Sequence, residues 1–169
     1  DWNHPDLGYN IWNGSDGCDS SIDNNSNGYN GDCRGYDFTD INVTKYVNEG
    51  YTLVEGEDYD VRDNDPMDFD GHGTHVAGIA AGVGNNGLGV LGSCYNCSIM
   101  PIRSGFNIIN PSGNSVGSLE IDDVAAAIYY AVDNNATIIS MSFGGGNSNT
   151  MKAAIDYAYS NGSILVASS

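Results

Sequence analysis

Over residues 98–169, short apolar runs alternate with amphipathic stretches of helical period, and this alternation narrows the fold more than any other feature of the sequence. Residues 98–103 read as a short strand in which Pro101 marks an edge or an irregular pairing. Residues 104–117 carry no regular pattern. Ser118 is placed to cap a helix whose first turn, with Glu120, Asp122 and Asp123, suits the positive end of the helix dipole. Val124, Ile128, Ala131 and Val132 then form its buried stripe, and it should end near Asn134 or Asn135. Residues 137–142 are a continuous run rich in β-branched side chains, residues 149–160 a helix stopped by Gly162, and residues 163–167 a further apolar strand. Strand, helix, strand, helix, strand requires right-handed crossovers, hence an α/β fold with a mostly parallel sheet covered by helices on both faces.

The first 70 residues have a different texture: turn-forming Asn, Asp and Gly dominate, with only short apolar runs such as residues 36–38 and 51–54. The chain therefore divides into a loop-rich region of about residues 1–70 and an α/β core of about residues 71–169, within one domain of 169 residues. With 22 acidic against 5 basic residues the formal charge is -17, which repels nucleic-acid phosphates and anionic lipid headgroups and argues against both as partners. Clustered carboxylates repel one another unless cations sit among them, and calcium is the natural neutraliser. No apolar run approaches the ~20 residues that span a bilayer, and any signal peptide is expected upstream. The four cysteines, Cys18 and Cys33 with Cys94 and Cys97, are compatible with two local disulfides and an oxidising, extracellular compartment. A zinc site is the other reading, weakened because only Cys94 and Cys97 are close in sequence.

The segment Asp70-Gly71-His72-Gly73-Thr74-His75-Val76-Ala77-Gly78 frames a histidine with glycines at the start of a small-residue helix expected to be tightly buried. A general base must come within about 2.6–3.2 Å of the group it deprotonates, so small residues around an imidazole suit that role. His72 and His75 share a helix face and also admit a metal pair, but no third ligand lies at helical spacing. The Gly-His-Gly-Thr-His-Val-Ala-Gly string resembles the histidine signature of the subtilase family of serine proteases. Residues 1–7, Asp-Trp-Asn-His-Pro-Asp-Leu, resemble the segment that follows that family's catalytic aspartate.

The resemblance implies a three-layer subtilisin-like fold, incomplete at both ends, and a secreted, monomeric endopeptidase acting on proteins or peptides, with a propeptide encoded upstream. His72 is then the general base of an Asp-His-Ser triad. The family's aspartate falls before Asp1, while its oxyanion asparagine and serine nucleophile fall beyond Ser169, so neither Ser168 nor Ser169 is the nucleophile and these residues alone are expected to be inactive. Ser142, Phe143 and Gly144 match one wall of the primary specificity pocket, with Phe143 where leucine is usual; Ser115, Val116 and Gly117 match the opposing substrate edge. The alternative is a non-catalytic calcium-binding domain on the same scaffold.

Asp23, Asn25 and Asn27 precede Gly28 at the alternate spacing of a calcium loop, with Tyr29 and Asp32 as further ligands; Arg34 stands where an EF-hand needs glutamate. Many secreted subtilases have a similar insertion, followed by sequences like residues 63–68, which implies calcium ligation at Asp63 and Asp65. A further family site implies side chains of Asp6 and Asn86 and carbonyls of Gly84, Leu88 and Val90.

Overall fold

The computed structural model describes residues 1–19 and 21–168. The expectation about Ser169 lies outside them. Elements run in chain order β1 (Tyr36–Asp37), α1 (Val43–Asn48), β2 (Thr52–Leu53), α2 (His72–Ala81), β3 (Ile102–Arg103), β4 (Gly105–Ile109), β5 (Ser115–Leu119), α3 (Ile121–Asp133), β6 (Ile138–Met141), α4 (Asn149–Ser160) and β7 (Ile164–Ala167). β1 pairs with β3 and β6 with β7, both in parallel, while β2, β4 and β5 form an antiparallel ladder in that order. The α/β class with parallel pairing is the one the alternation predicts.

Helix α3 organises the interior. Its stripe of Val124, Ile128 and Val132 packs with Met141 of β6 and with Ala154 and Ala158 of α4. Its opposite side sends Ala127 and Tyr130 into a cluster with Phe38, against which Tyr29, Tyr36, Met100 and Ile102 pack. A helix buried from two sides must be apolar around most of its circumference, and α3 is, with Asp123 the buried exception. Asp123 accepts from Arg62 Nη2 at 2.7 Å and from Asp40 N at 3.2 Å, which pins residues 40–62 to the first turn of α3. A third cluster of Ile41, Tyr46, Tyr59, Phe106 and Ile108 fills the space between that segment and β4.

Three expectations are corrected. Residues 104–117 are not patternless but supply β4 and the start of β5, joined by a turn at Asn110–Asn114 in which Asn110 Oδ1 accepts from Ser112 N and Asn114 N at 3.0 Å each. Ser118 lies inside β5, and α3 begins after Glu120 without a side-chain cap. Helix α2 is not tightly buried: only Ala81 is, and Ile79 is 55% exposed. Its Gly and Ala residues have little side chain to bury. Helices α3 and α4 cover one face of the β6–β7 ladder, whereas Ile138, Ile164 and Val166 on the other face are exposed.

Candidate active site

His72 is the first residue of α2, and the chain reaches it through Gly71 at φ 91°, a left-handed conformation that residues with a Cβ adopt at a cost. The turn before it is held by one carboxylate. Asp68 Oδ1 accepts from Asp70 N at 2.9 Å and Gly71 N at 2.8 Å, and Oδ2 accepts from Thr74 N at 2.8 Å and the Thr74 hydroxyl at 2.6 Å. Those donors include free N–H groups of the first turn, so Asp68 acts as a displaced N-cap in favourable alignment with the helix dipole. Burial opposes its ionisation, but the bonds from Thr74, Gly71 and Asp70 outweigh that and hold its carboxyl at about 2.

A pH dependence follows with a defined sign. The folded value of about 2 lies below the ordinary 3.8, so Asp68 contributes stability above about pH 4, and the contribution is lost as pH falls towards 2. Asp68→Ala is expected to cost about 1–2 kcal/mol, the scale of a lost cap, and to flatten the acid limb of the stability curve between pH 4 and 2. Chemical denaturation across that range checks it; an unchanged acid limb in the variant would refute the role.

His72 itself is exposed, and the loop before it adjoins β5: a methyl group added at Gly117 would lie 3.7 Å from Asp70 Oδ1. β5 is the outer strand of its ladder, and Ser115, Val116 and Gly117 are exposed along it. The histidine's loop and this strand edge, remote in sequence, are thus brought together. Phe143 lies just past β6, packed on the α3–α4 core, and its carbonyl accepts from the Ser168 hydroxyl at 3.1 Å; Ser142 is half-buried beside it and Gly144 is exposed. Leu119 at the end of β5 packs on the same core as Phe143. A separate cleft of about 560 Å³ runs between residues 1–7 and α2 and is lined by His75 rather than His72.

The candidate cation ligands fall into three places. Asp6, 3% exposed, accepts from Asn86 Nδ2 at 2.6 Å and Val90 N at 2.8 Å, so the loop carrying Gly84, Leu88 and Val90 is wrapped around it. The Asn86 bond, then that from Val90, lowers its pKa. In residues 23–32, Asp23 accepts from Asn27 N and Gly28 N, Asn25 from Asn27 N, and Asn27 from Tyr29 N, at 2.9–3.2 Å. Tyr29 turns its ring into the aromatic cluster, 5.0 Å from Tyr130. Asp63 accepts from Asp65 N, and Asp65 from Trp2 Nε1. Among the described residues no three His, Cys, Asp or Glu side chains converge at metal-binding distance. Disulfides join Cys18 to Cys33 and Cys94 to Cys97, the pairing compatible with the spacing, which removes the zinc reading.

A model of the Subtilase family matches residues 1–169. This chain belongs to the subtilase family. Similar subtilases include a thermophilic serine proteinase of Bacillus sp. (strain AK1), 37% identical over 79% of this chain and 30% of its own length. Thermitase of Thermoactinomyces vulgaris is 40% identical over 68% of this chain and 39% of its own. Subtilisin DY of Bacillus licheniformis is 37% identical over 70% and 38%. The chain thus spans well under half the length of these relatives.

Two features of this subtilase lay outside the sequence reading. The Asp68 cap was within reach of it, since an aspartate shortly before a helix is a start signal. The other is a buried ion network: Arg103 of β3 pairs with Asp37, its register partner on β1, and Nη2 donates to Glu57 Oε1 at 2.8 Å and to the Asp58 carbonyl at 2.7 Å. No local pattern links residues so far apart.

Proposed function

We propose that this chain supplies the general base, His72, of a secreted serine endopeptidase that hydrolyses peptide bonds through an Asp-His-Ser triad. The observation that carries the reading is the position of His72: exposed, at the first turn of a helix fixed by Asp68, with its loop against the open edge of β5. An open strand edge accepts an extended peptide by backbone pairing. The substrate would run along Ser115, Val116 and Gly117, with Ser142, Phe143 and Gly144 lining one wall of the pocket for its principal side chain. His72 would take the proton from the serine hydroxyl and return it to the leaving amine. The orienting aspartate, oxyanion asparagine and serine are those the family places outside these 169 residues.

Calcium is proposed as a structural ion with no part in the proton transfers. Asp6 and Asn86, already in contact, with the carbonyls of Gly84, Leu88 and Val90, offer the all-oxygen set that such a hard cation takes. Asp63 and Asp65 offer carboxylates as well. Two disulfides fit an oxidising, extracellular setting, and no helix among the described residues is long and apolar enough to cross a membrane.

A fluorophosphonate probe on the full-length protein tests the enzyme reading. Labelling of a single serine beyond residue 169, abolished by heat unfolding, is expected. Absence of labelling in folded, calcium-loaded protein would instead leave a non-catalytic calcium-binding domain.

A further inference from the structure

Two buried carboxylates in the disulfide-closed region are incompletely satisfied. Asp16 and Asp32 are 3% and 0% exposed, yet Asp16 Oδ2 and Asp32 Oδ1 find no hydrogen-bond donor among the described residues. Their other oxygens are fully engaged. Asp16 Oδ1 accepts from Asn24 N at 3.1 Å and Asn25 N at 3.0 Å; Asp32 Oδ2 accepts from the Tyr130 hydroxyl and from Asn27 Nδ2, each at 2.8 Å. Among the described residues neither carboxylate is paired with a Lys or Arg. Buried charge without a counter-charge is among the most costly arrangements a protein can hold.

The two carboxylates belong to one place. Residues 24–27 bridge them, giving two amides to Asp16 and one side-chain amide to Asp32. Cys33, adjacent to Asp32, is bonded to Cys18, two residues beyond Asp16, so the backbone at both carboxylates is tethered before any ion arrives.

We propose that Asp16 and Asp32 are the paired carboxylates of a calcium site closed by residues 23–27. Two carboxylates balance one divalent charge, and the remaining donors within reach of the loop are oxygens of asparagine, serine and backbone carbonyls, with both thiols consumed in the disulfide. That donor set selects a hard cation, and an irregular loop with few carboxylates suits calcium better than magnesium, which demands near-octahedral order. The ligand set read from the sequence changes accordingly. Asp23 spends both oxygens on the backbone N–H groups of Asn27 and Gly28 and shapes the loop; Asp16, outside that set, takes its place. This rests on the proposal that calcium is the protein's structural ion, but not on proteolysis.

The test uses the full-length protein in a His72→Ala background, which suppresses self-digestion, and reads Tm and terbium luminescence sensitised by tyrosine. In EDTA, Asp16→Asn and Asp32→Asn are expected to melt at or above the parent temperature, because each removes an unpaired buried charge. In calcium the order reverses, the parent gaining several degrees and both variants gaining less. Terbium bound beside Tyr130 is expected to luminesce and to be displaced by calcium, with affinity lowered about tenfold or more by either variant. Asp23→Asn should shift it far less, and Asp6→Asn should leave it in place. If both variants melt below the parent in EDTA as well as in calcium, the carboxylates are plain loop-forming acceptors and the proposal fails. If luminescence and calcium stabilisation vanish with Asp6→Asn and survive Asp16→Asn, calcium is structural here but bound elsewhere. If calcium neither stabilises nor displaces terbium in any variant, the calcium reading itself falls, while serine labelling would still stand.

Discussion

Replacing His72 with alanine in the full-length protein is expected to lower kcat for peptide hydrolysis by about 10⁶-fold, the scale known for removing the base from a subtilisin triad. KM should move little, because in the proposed binding mode strand pairing and pocket contacts, rather than the imidazole, hold the substrate. Stability should move little too, since His72 is exposed and sits at the solvent end of α2; changes at such positions stay within about 0.5 kcal/mol. Serine labelling by a fluorophosphonate should slow in parallel, because the same proton must leave the hydroxyl. His75→Ala provides the contrast: His75 faces the cleft beside residues 1–7, and its loss should leave kcat within about tenfold of the parent. Comparable losses for the two histidines would remove His72 from the proposed role.

The largest stability effect is expected at Arg103. Its guanidinium is 7% exposed and faces Asp37 and Glu57, whose side chains are 1% and 0% exposed. Arg103→Met leaves two buried carboxylates without their cation, a loss of about 3–5 kcal/mol for a broken buried pair. Thermal melting should fall by roughly 10 °C. Asp37 supplies a signature. Burial raises its carboxyl to about 6, opposed by Arg103 and the Thr39 backbone N–H, so it favours the folded state below the ordinary 3.8 and loses that contribution as pH rises through about 6. Without Arg103 the opposition disappears. The variant should therefore recover more stability than the parent when pH is lowered from 7 to 5. Adding Asp37→Asn and Glu57→Gln to Arg103→Met should restore part of the loss, as neutral groups of the same shape need no counter-charge. A variant that melts within 2 °C of the parent would show that the network contributes nothing.

The legible parts of this fold are those whose physics is local. Helix α4 spans the residues predicted for it because Ser148 caps its start, accepting from Met151 N at 3.3 Å, and Gly162 adopts a positive φ beyond its end. The stripe on α3 is buried as its period requires, because the stripe itself drives the packing. No strand pattern marks the hairpin of β4 and β5, because its outer strand, Ser115-Val116-Gly117-Ser118-Leu119, is an edge without apolar alternation; only the resemblance points to an edge at Ser115, Val116 and Gly117. The turn Asn110-Pro111-Ser112-Gly113 does carry a local signal, a proline followed two residues later by a glycine, and that glycine adopts a positive φ in the fold. Helix α1 has only six residues, two of them valine and one threonine, and exists because Tyr46 docks on Phe106 and its hydroxyl reaches Glu120.

The start of α2 at His72 was legible because its glycine frame is contiguous. Its approach to β5 was not. Gly117 meets Asp70 only after the antiparallel ladder turns β5 towards the start of α2. Asp16 sits in an ordinary-looking Gly-Ser-Asp-Gly turn, and what sets it apart is the depth at which the folded loop leaves it.

The uncovered side of the β6–β7 ladder bears on how this protein can be handled. Ile138, Ile164 and Val166 project from neighbouring parallel strands and stand 52–61% exposed, in a row that a second hydrophobic surface would readily wet. Expressed as these 169 residues alone, the polypeptide should scatter light as its concentration rises and bind hydrophobic dyes while still folded. Polar replacements at those three positions, rather than a change of buffer, are what should keep such a sample clear.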